Sequence, residues 1–353
     1  MIEQFGWSDA LGHDFAPHAA QGHAPGRVTV QHRGLYTVAT NLGELSAQLS
    51  GHLMREAEEG GYPAVGDWVA LTPREGAAAT IHAVMPRRTA FLRKAANSVQ
   101  STQVVAANVD VAFLVASMNA DFNARRLERY LASAWHSGAQ PVVVLTKADL
   151  CADSEATVAE AEAVAIGVPV LVVSAVTGDG MQALAAHLKP GQTCVLVGSS
   201  GVGKSTLVNA LAGADLMATA AIREGDAHGR HTTTHRELVR LPGGALILDT
   251  PGMREFGLLE VGDGLDATFE DIEALARACR FRDCRHAAEP GCAVRAALET
   301  GALDEARWRG FQKLQRELNF LEAKEDRAAR QANRKHWIAI AKAQKANRKR
   351  GEW

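Results

Sequence analysis

Residues 198–206 read Gly-Ser-Ser-Gly-Val-Gly-Lys-Ser-Thr. The apolar run Thr193–Val197 precedes them and the helical run "TLVNALAG" follows. Gly198-x-x-x-x-Gly203-Lys204-Ser205 therefore matches a phosphate-binding loop, with the flanks it requires. This constrains the fold more than any other feature. Such a loop works where a buried strand hands over to a helix, because backbone N–H groups and the helix N-terminus then face one anion. The surrounding domain is expected to be α/β. Gly198, Ser199, Ser200, Gly201, Val202, Gly203, Lys204, Ser205 and Thr206 form the nucleotide cradle. Lys204 is expected to bridge the β- and γ-phosphates, and the Ser205 hydroxyl to ligate Mg²⁺.

A second motif stands upstream. The strand-like "PVVVL" ends in Thr146-Lys147-Ala148-Asp149. A carboxylate such as Asp149 accepts hydrogen bonds from guanine N1 and N2, which adenine does not offer, and the Lys147 stem can lie over the ring. Thr146 stands where Asn is usual. Ser174-Ala175, in "VSAVTG", falls where a second base-contacting turn belongs. Downstream, "LILDTPG" places Asp249-Thr250-Pro251-Gly252 at a strand end. Asp249 can hold Mg²⁺ through water, and the Gly252 N–H can sense a γ-phosphate. Between the loop and this strand lies the polar "EGDAHGRHTTTHRE", where a mobile threonine can reach Mg²⁺. Thr233 is taken as that ligand, although spacing does not choose among Thr232, Thr233 and Thr234. The order is base motif, base turn, phosphate loop, switch loop, DTPG. An ordinary small GTPase puts the phosphate loop first, so the domain reads as circularly permuted, which a sheet tolerates when its termini lie close.

Three regions follow from the pattern: 1–95, 96–260 and 261–353. Short alternating strands between residues 26 and 90 suggest an OB-type β-barrel, and the first twenty-odd residues read as a flexible arm. From about Asn97, apolar strands alternate with helices, including one from about Asn123 to Ser137. Near-continuous apolar strands imply a parallel sheet buried on both faces. From about Val261 the chain turns helical. Cys279-x₄-Cys284-x-His286-x₅-Cys292 supplies three thiolates and an imidazole, a closed tetrahedral set for one structural Zn²⁺. The tail from Lys324 to Arg350 holds ten Lys/Arg against two acids, on a chain of net charge −2. With Trp337 and Trp353 it fits docking on an RNA surface. There is no secretory leader pattern and no apolar run long enough to span a bilayer, so a cytoplasmic protein is expected; nothing suggests obligate oligomerisation, so a monomer is expected.

The ordered set TKAD, SA, GSSGVGKST, GRHTTT, DTPGMREFGL and CxxxxCxHxxxxxC resembles the circularly permuted ribosome-small-subunit-dependent GTPase A family over nearly the whole chain. The resemblance implies binding of GTP and GDP, GTP hydrolysis stimulated by the small ribosomal subunit late in its assembly, and contact with ribosomal RNA through the barrel and zinc domains. It places GTP on residues 146–149 and 198–206, and zinc on Cys279, Cys284, His286 and Cys292. In Ras-like enzymes a glutamine after DxxG orients the attacking water. Here Met253 stands there and cannot, so intrinsic turnover should be slow. A switch histidine (His231 or His235) or rRNA would complete a catalytic set of Lys204, Asp249, Gly252 and His231. Two other readings compete: a P-loop ATPase or kinase with a zinc ribbon, and a GTP-sensing RNA chaperone that acts only as a switch. Asp149 and the second base turn argue against the first. The second predicts subunit binding without stimulated turnover.

Overall fold

The computed structural model describes residues 1–32, 34–56, 61–94, 102–119, 122–151, 153–214, 236–249, 262–320 and 323. The loop at 224–235, with His231, Thr233 and His235, lies outside the described residues, as do Thr250–Met253 and the basic tail. Its strands are β1 (Ala24–Gln31), β2 (Tyr36–Thr40), β3 (Gly43–Leu49), β4 (Trp68–Thr72), β5 (Ala79–Val84), β6 (Ala90–Lys94), β7 (Thr102–Ala107), β8 (Val111–Ser117), β9 (Gln140–Thr146), β10 (Val170–Val172), β11 (Thr193–Val197), β12 (Arg236–Arg240) and β13 (Leu246–Asp249). Its helices are α1 (Asp9–Ala20), α2 (Gly51–Glu56), α3 (Ala124–Ser137), α4 (Ser154–Val164), α5 (Met181–Ala186), α6 (Lys204–Ala212), α7 (Gly262–Thr268), α8 (Glu270–Arg277) and α9 (Ala293–Thr300). A further helix, α10, runs over 305–320.

The first five strands close on themselves in the order β1-β2-β3-β5-β4, with β4 returning to β1. All neighbours are antiparallel except β3 and β5. Strand β3, "GELSAQL", is one that pattern alone misses, since only Ala47 in it is buried. The expected flexible arm is instead folded. Ser8 caps α1 by accepting from the Leu11 N–H. Ile2, Leu11 and Phe15 are buried against Trp68 and Met85. The anchor is tertiary: Trp7 packs edge-on against both Phe15 and Trp68, with ring centroids 5.8 and 4.9 Å away. Leu11 and Phe15 keep helical spacing, but their burial depends on Trp68 and Met85 far along the chain.

The second sheet has the order β10-β9-β8-β11-β13-β12, parallel except for its β12 edge. Alternate residues of β8 divide between its two faces. Ala112 and Leu114 join the core under α3 and α4, whereas Val111, Phe113 and Val115 join that under α5 and α6. Both faces are therefore covered, as the near-continuous apolar strands require. In chain order the strand carrying the base motif, β9, precedes the strand carrying the phosphate loop, β11, and the two flank β8. The permuted order is thus accommodated in an ordinary doubly covered sheet. Strand β12, "RELVR", lies where a loop is read from polarity. It buries only Leu238 and is held by its ladder to β13.

β12 also pairs with β1 through Val30↔Glu237 and Gln31↔Arg236, so barrel and sheet are continuous. The guanidinium of Arg27 is buried at this junction. It donates to the carbonyls of Gly66, Phe5 and Asn108 and, at 2.7 Å, to the Thr193 hydroxyl. It also lies 5.2 Å from the Trp68 ring centroid. Burial lowers its pKa to about 10, which still leaves it charged.

Candidate active site and metal centre

β11 is buried at every position and ends at Gly198. A side chain at Gly198 would run into the carbonyl oxygen of Val115 and stand 3.3 Å from Val202 Cγ2. Only glycine lets the chain leave the sheet that close to β8. Gly203 has φ 95°, a left-handed conformation natural to glycine, and caps α6 at its N-terminus. Lys204 begins that helix, and its ammonium donates to the carbonyls of Gly198 and Ser199, each at 2.6 Å. Ser205 follows in the first helical turn, half-buried.

The base motif lies directly against this loop. Thr146 is buried, and its hydroxyl donates to the Val202 carbonyl at 2.6 Å. The residue that departs from the usual Asn thus has a structural task of its own: it ties the base loop to the phosphate loop. Lys147 takes a left-handed conformation, φ 60°, and its ammonium donates to the Gly201 carbonyl at 2.7 Å. Asp149 is exposed, and its Oδ1 accepts from the Ser174 hydroxyl at 2.6 Å. The same Ser174 oxygen accepts from the backbone N–H groups of Val176 and Thr177. Ala148 donates to the Val173 carbonyl at 3.4 Å, which brings the TKAD loop and the Ser174-Ala175 turn together. Asp249 ends β13. Its neighbour Leu248 is in register with Val195, so the Asp249 backbone stands at the sheet end where β11 meets Gly198. The base and phosphate-loop motifs among the described residues therefore converge on one end of the sheet, where nucleotides bind in such folds.

Two participants have no motif to announce them. Arg126 of α3 donates from Nη1 to Ser199 Oγ at 2.7 Å, and the Tyr130 hydroxyl lies 3.4 Å from the same oxygen. Both stand in "NARRLERY", an ordinary amphipathic helix by its pattern. Nothing in the spacing separates Arg126 from its neighbours, because only the docking of α3 beside the loop selects it.

The Cys/His cluster is assembled between α8 and α9. The ligand atoms of Cys279, Cys284, His286 and Cys292 lie within 4.8 Å of one another. A tetrahedral Zn²⁺ with bonds of about 2.3 Å to sulfur and about 2.0–2.1 Å to nitrogen sets separations of roughly 3.8 Å between sulfurs and roughly 3.5 Å between sulfur and nitrogen. The observed Cys279–Cys292 sulfur separation is 3.9 Å, and each of these sulfurs is 3.5 Å from His286 Nδ1. The donors fit that ion. His286 has φ 58°, and its ring meets Trp308 edge-on at 5.7 Å. Glu289 holds the turn by accepting from the N–H groups of Arg285, Ala287 and Ala288. Those bonds lower its pKa to about 2. The outer surface is basic: Arg280, Arg282 and Arg285 are exposed, and Arg280 lies over the 41% exposed Phe281. The other two cysteines stand apart, and burial raises the Cys194 thiol pKa strongly.

A family model described as RsgA GTPase matches residues 84–259. The small ribosomal subunit biogenesis GTPase RsgA of Opitutus terrae is 46% identical, covering 100% of this chain and 99% of that protein. The protein of the same description from Streptomyces coelicolor is 46% identical over 97% of this chain and 94% of its own. Among solved structures, YjeQ from Thermotoga maritima is 29% identical with a TM-score of 0.63, covering 84% of this chain and 98% of that one. YloQ, described as a circularly permuted GTPase, is 26% identical with a TM-score of 0.58, covering 86% and 96%.

Proposed function

This chain belongs to the RsgA GTPase family, and from that premise we propose that it binds the small ribosomal subunit and hydrolyses GTP late in that subunit's assembly, with hydrolysis driving release. The observation that carries the reading is the physical union of base loop and phosphate loop through Thr146–Val202 and Lys147–Gly201, with Asp149 held by Ser174. A loop that grips phosphate is thereby fixed to a carboxylate suited to guanine. This favours a GTPase over an ATPase or kinase.

In this reading residues 198–206 cradle the phosphates, and Lys204 leaves its loop carbonyls for the β- and γ-phosphate oxygens. Asp149 accepts from guanine, Ser174 and Ala175 complete the base turn, and the Lys147 stem covers the ring. Ser205, Thr233 and Asp249 would hold Mg²⁺, which neutralises charge on the phosphate oxygens. Gly252 senses the γ-phosphate, and His231 orients water where Met253 cannot. One Zn²⁺ on Cys279, Cys284, His286 and Cys292 is structural, since four protein donors leave no position open. The barrel (within 1–95), the zinc-binding helices (within 261–353) and the basic tail contact rRNA on either side of the GTPase domain (96–260). Among the described residues no helix is long and apolar enough to cross a membrane. We place the protein in the cytoplasm as a monomer.

The test is GTP turnover by the purified chain, alone and with isolated small subunits, with ATP as control. The expected result is slow intrinsic turnover, strong stimulation by subunits, and no comparable turnover of ATP. Subunit affinity should fall steeply with added salt, because phosphate contacts release counterions. Tight subunit binding without stimulation would make the protein a switch served by a separate activator.

A further inference from the structure

Helix α3 touches two regions. One side meets the phosphate loop, where Arg126 donates to Ser199 Oγ at 2.7 Å. The other side is bonded to the helices around the metal cluster. Glu128 accepts from Arg125 within α3 and from Arg307 of α10 at 3.3 Å. Arg307 in turn donates to Asp271 of α8 at 2.7 Å and to the Thr268 carbonyl at 3.0 Å. Arg129 pairs with Glu317 at 3.0 Å. Ala132 is buried within the same core as Trp308, Phe311 and Cys292.

This second contact has little slack. A side chain at Gly310 would stand 2.9 Å from Glu128 Oε2. One at Gly264 would stand 2.7 Å from the His136 nitrogen. At Gly264 the α7 backbone thus presses onto the α3 backbone, and Gly310 of α10 packs on the Glu128 and Arg125 side chains; the close-packed backbone contact transmits displacement rather than absorbs it. On the loop side the path continues, because the Ser199 carbonyl accepts from the Lys204 ammonium at 2.6 Å. Moving Ser199 moves a partner of the lysine that serves the phosphates.

We propose that Arg126 is a positioning residue for the phosphate loop, and that α3 makes this position depend on the zinc-binding helices. Docking or displacement at the metal-bearing end is then felt at Ser199 and Lys204 without direct contact with nucleotide. The inference rests on the GTPase reading above, but Arg126, Arg129, Glu128, Arg307 and Glu317 are residues which that reading does not use.

The test compares kcat and KM for GTP in the full chain and its variants, with melting temperature measured beside them. R126Q is expected to lower kcat about tenfold and change KM less than about twofold, as for a group that orients rather than binds. R126K, which keeps a charged donor, should recover part of that loss. S199A should reproduce the R126Q effect, and the double variant should be no worse than either single one, because the two act as a unit. At the far end E317K reverses a half-exposed pair that folding tolerates. It should lower kcat about threefold, and adding R129E should restore it. Unchanged kcat in R126Q, a change in melting temperature alone, or losses that add across Ser199 would overturn the positioning role. An inert E317K would overturn the coupling. If the parent chain itself does not hydrolyse GTP, the functional reading falls and takes this inference with it. If the parent turns over GTP and R126Q matches it, only this inference falls.

Discussion

Thr146 and Asp149 stand three residues apart and do different work. Thr146 is buried and spends its hydroxyl on the Val202 carbonyl, so its substitution should act on loop geometry. Asp149 is exposed and, among the described residues, held by Ser174, so its substitution should act on base choice. We predict that D149N weakens guanine-nucleotide affinity by about 2 kcal/mol, as expected for a lost charge-assisted acceptor, while melting temperature stays unchanged. Xanthine nucleotides, which carry an oxygen where guanine has the N2 amine, should bind D149N better than they bind the parent. Calorimetric titration with the two diphosphates decides this, and equal guanine affinity in D149N would remove Asp149 from the site. Glu128 provides a second residue-scale prediction. Burial raises its pKa to about 7, against the pull of Arg125 and Arg307, and its Oε2 has no hydrogen-bond partner among the described residues. The folded-state value lies above the unfolded one, 4.5. Its contribution is therefore fully present below that lower value and is lost as pH rises through about 7. Denaturant midpoints of the parent should fall between pH 5 and 8 relative to E128Q, which lacks this titration. Parallel curves for the two proteins would show that Glu128 stays ionised throughout.

At the scale of elements, α8 and α9 are short and are joined by the cluster. Cys292 is both a candidate metal donor and the N-cap of α9, its sulfur accepting from the Arg295 N–H. We predict one bound zinc per chain by metal analysis, and none after C279A/C292A substitution. Chelation should release the packing of Trp308 on His286, readable as a change in tryptophan fluorescence, because a closed site of this kind contributes folding energy directly. The α3–α7 contact is equally specific. G264A would force a methyl group onto the Ala132 carbonyl and the His136 nitrogen, and should destabilise the chain by about 1–3 kcal/mol in denaturant unfolding. These contacts cannot be read from sequence. "GDGLDAT" gives no sign that its second glycine is a contact surface, whereas the cysteine spacing shows its purpose at once. Zinc dictates its own ligand set, whereas helix packing accepts many.

At the scale of the molecule, Arg27 joins the barrel, the N-terminal segment and β11, the strand that delivers the phosphate loop. Its acceptors, the carbonyls of Gly66, Phe5 and Asn108 and the Thr193 hydroxyl, would lose a buried donor in R27A. Leaving buried acceptors short of this donor costs about 1–3 kcal/mol. We expect R27A to lower stability by that order and to separate barrel unfolding from sheet unfolding in calorimetry; a single transition at the parent temperature would refute the role. The β1–β12 ladder, the Ala107–Val65 and Asn108–Gly66 hydrogen bonds and the packing of Val65 would then be left across the junction.

The amino-acid sequence by itself determined the chemistry and its order. Gly198 to Thr206, Thr146 to Asp149 and Cys279 to Cys292 are local patterns. Phosphate, guanine and zinc each demand particular donors at particular spacings, and a short stretch of chain with those donors can be recognised as a candidate for each. Sequence also determined the doubly buried sheet, because strands covered on both faces must be apolar throughout. Tertiary structure alone decided which ordinary residues join these patterns. Arg126 reaches Ser199, Thr146 locks onto Val202, the first twenty residues fold against Trp68, and Arg27 spans barrel and sheet. Each depends on long-range contacts that no local spacing announces. Packing selects one partner among many equivalent arginines or aromatics, and that choice is made by the assembled surfaces rather than by any local spacing.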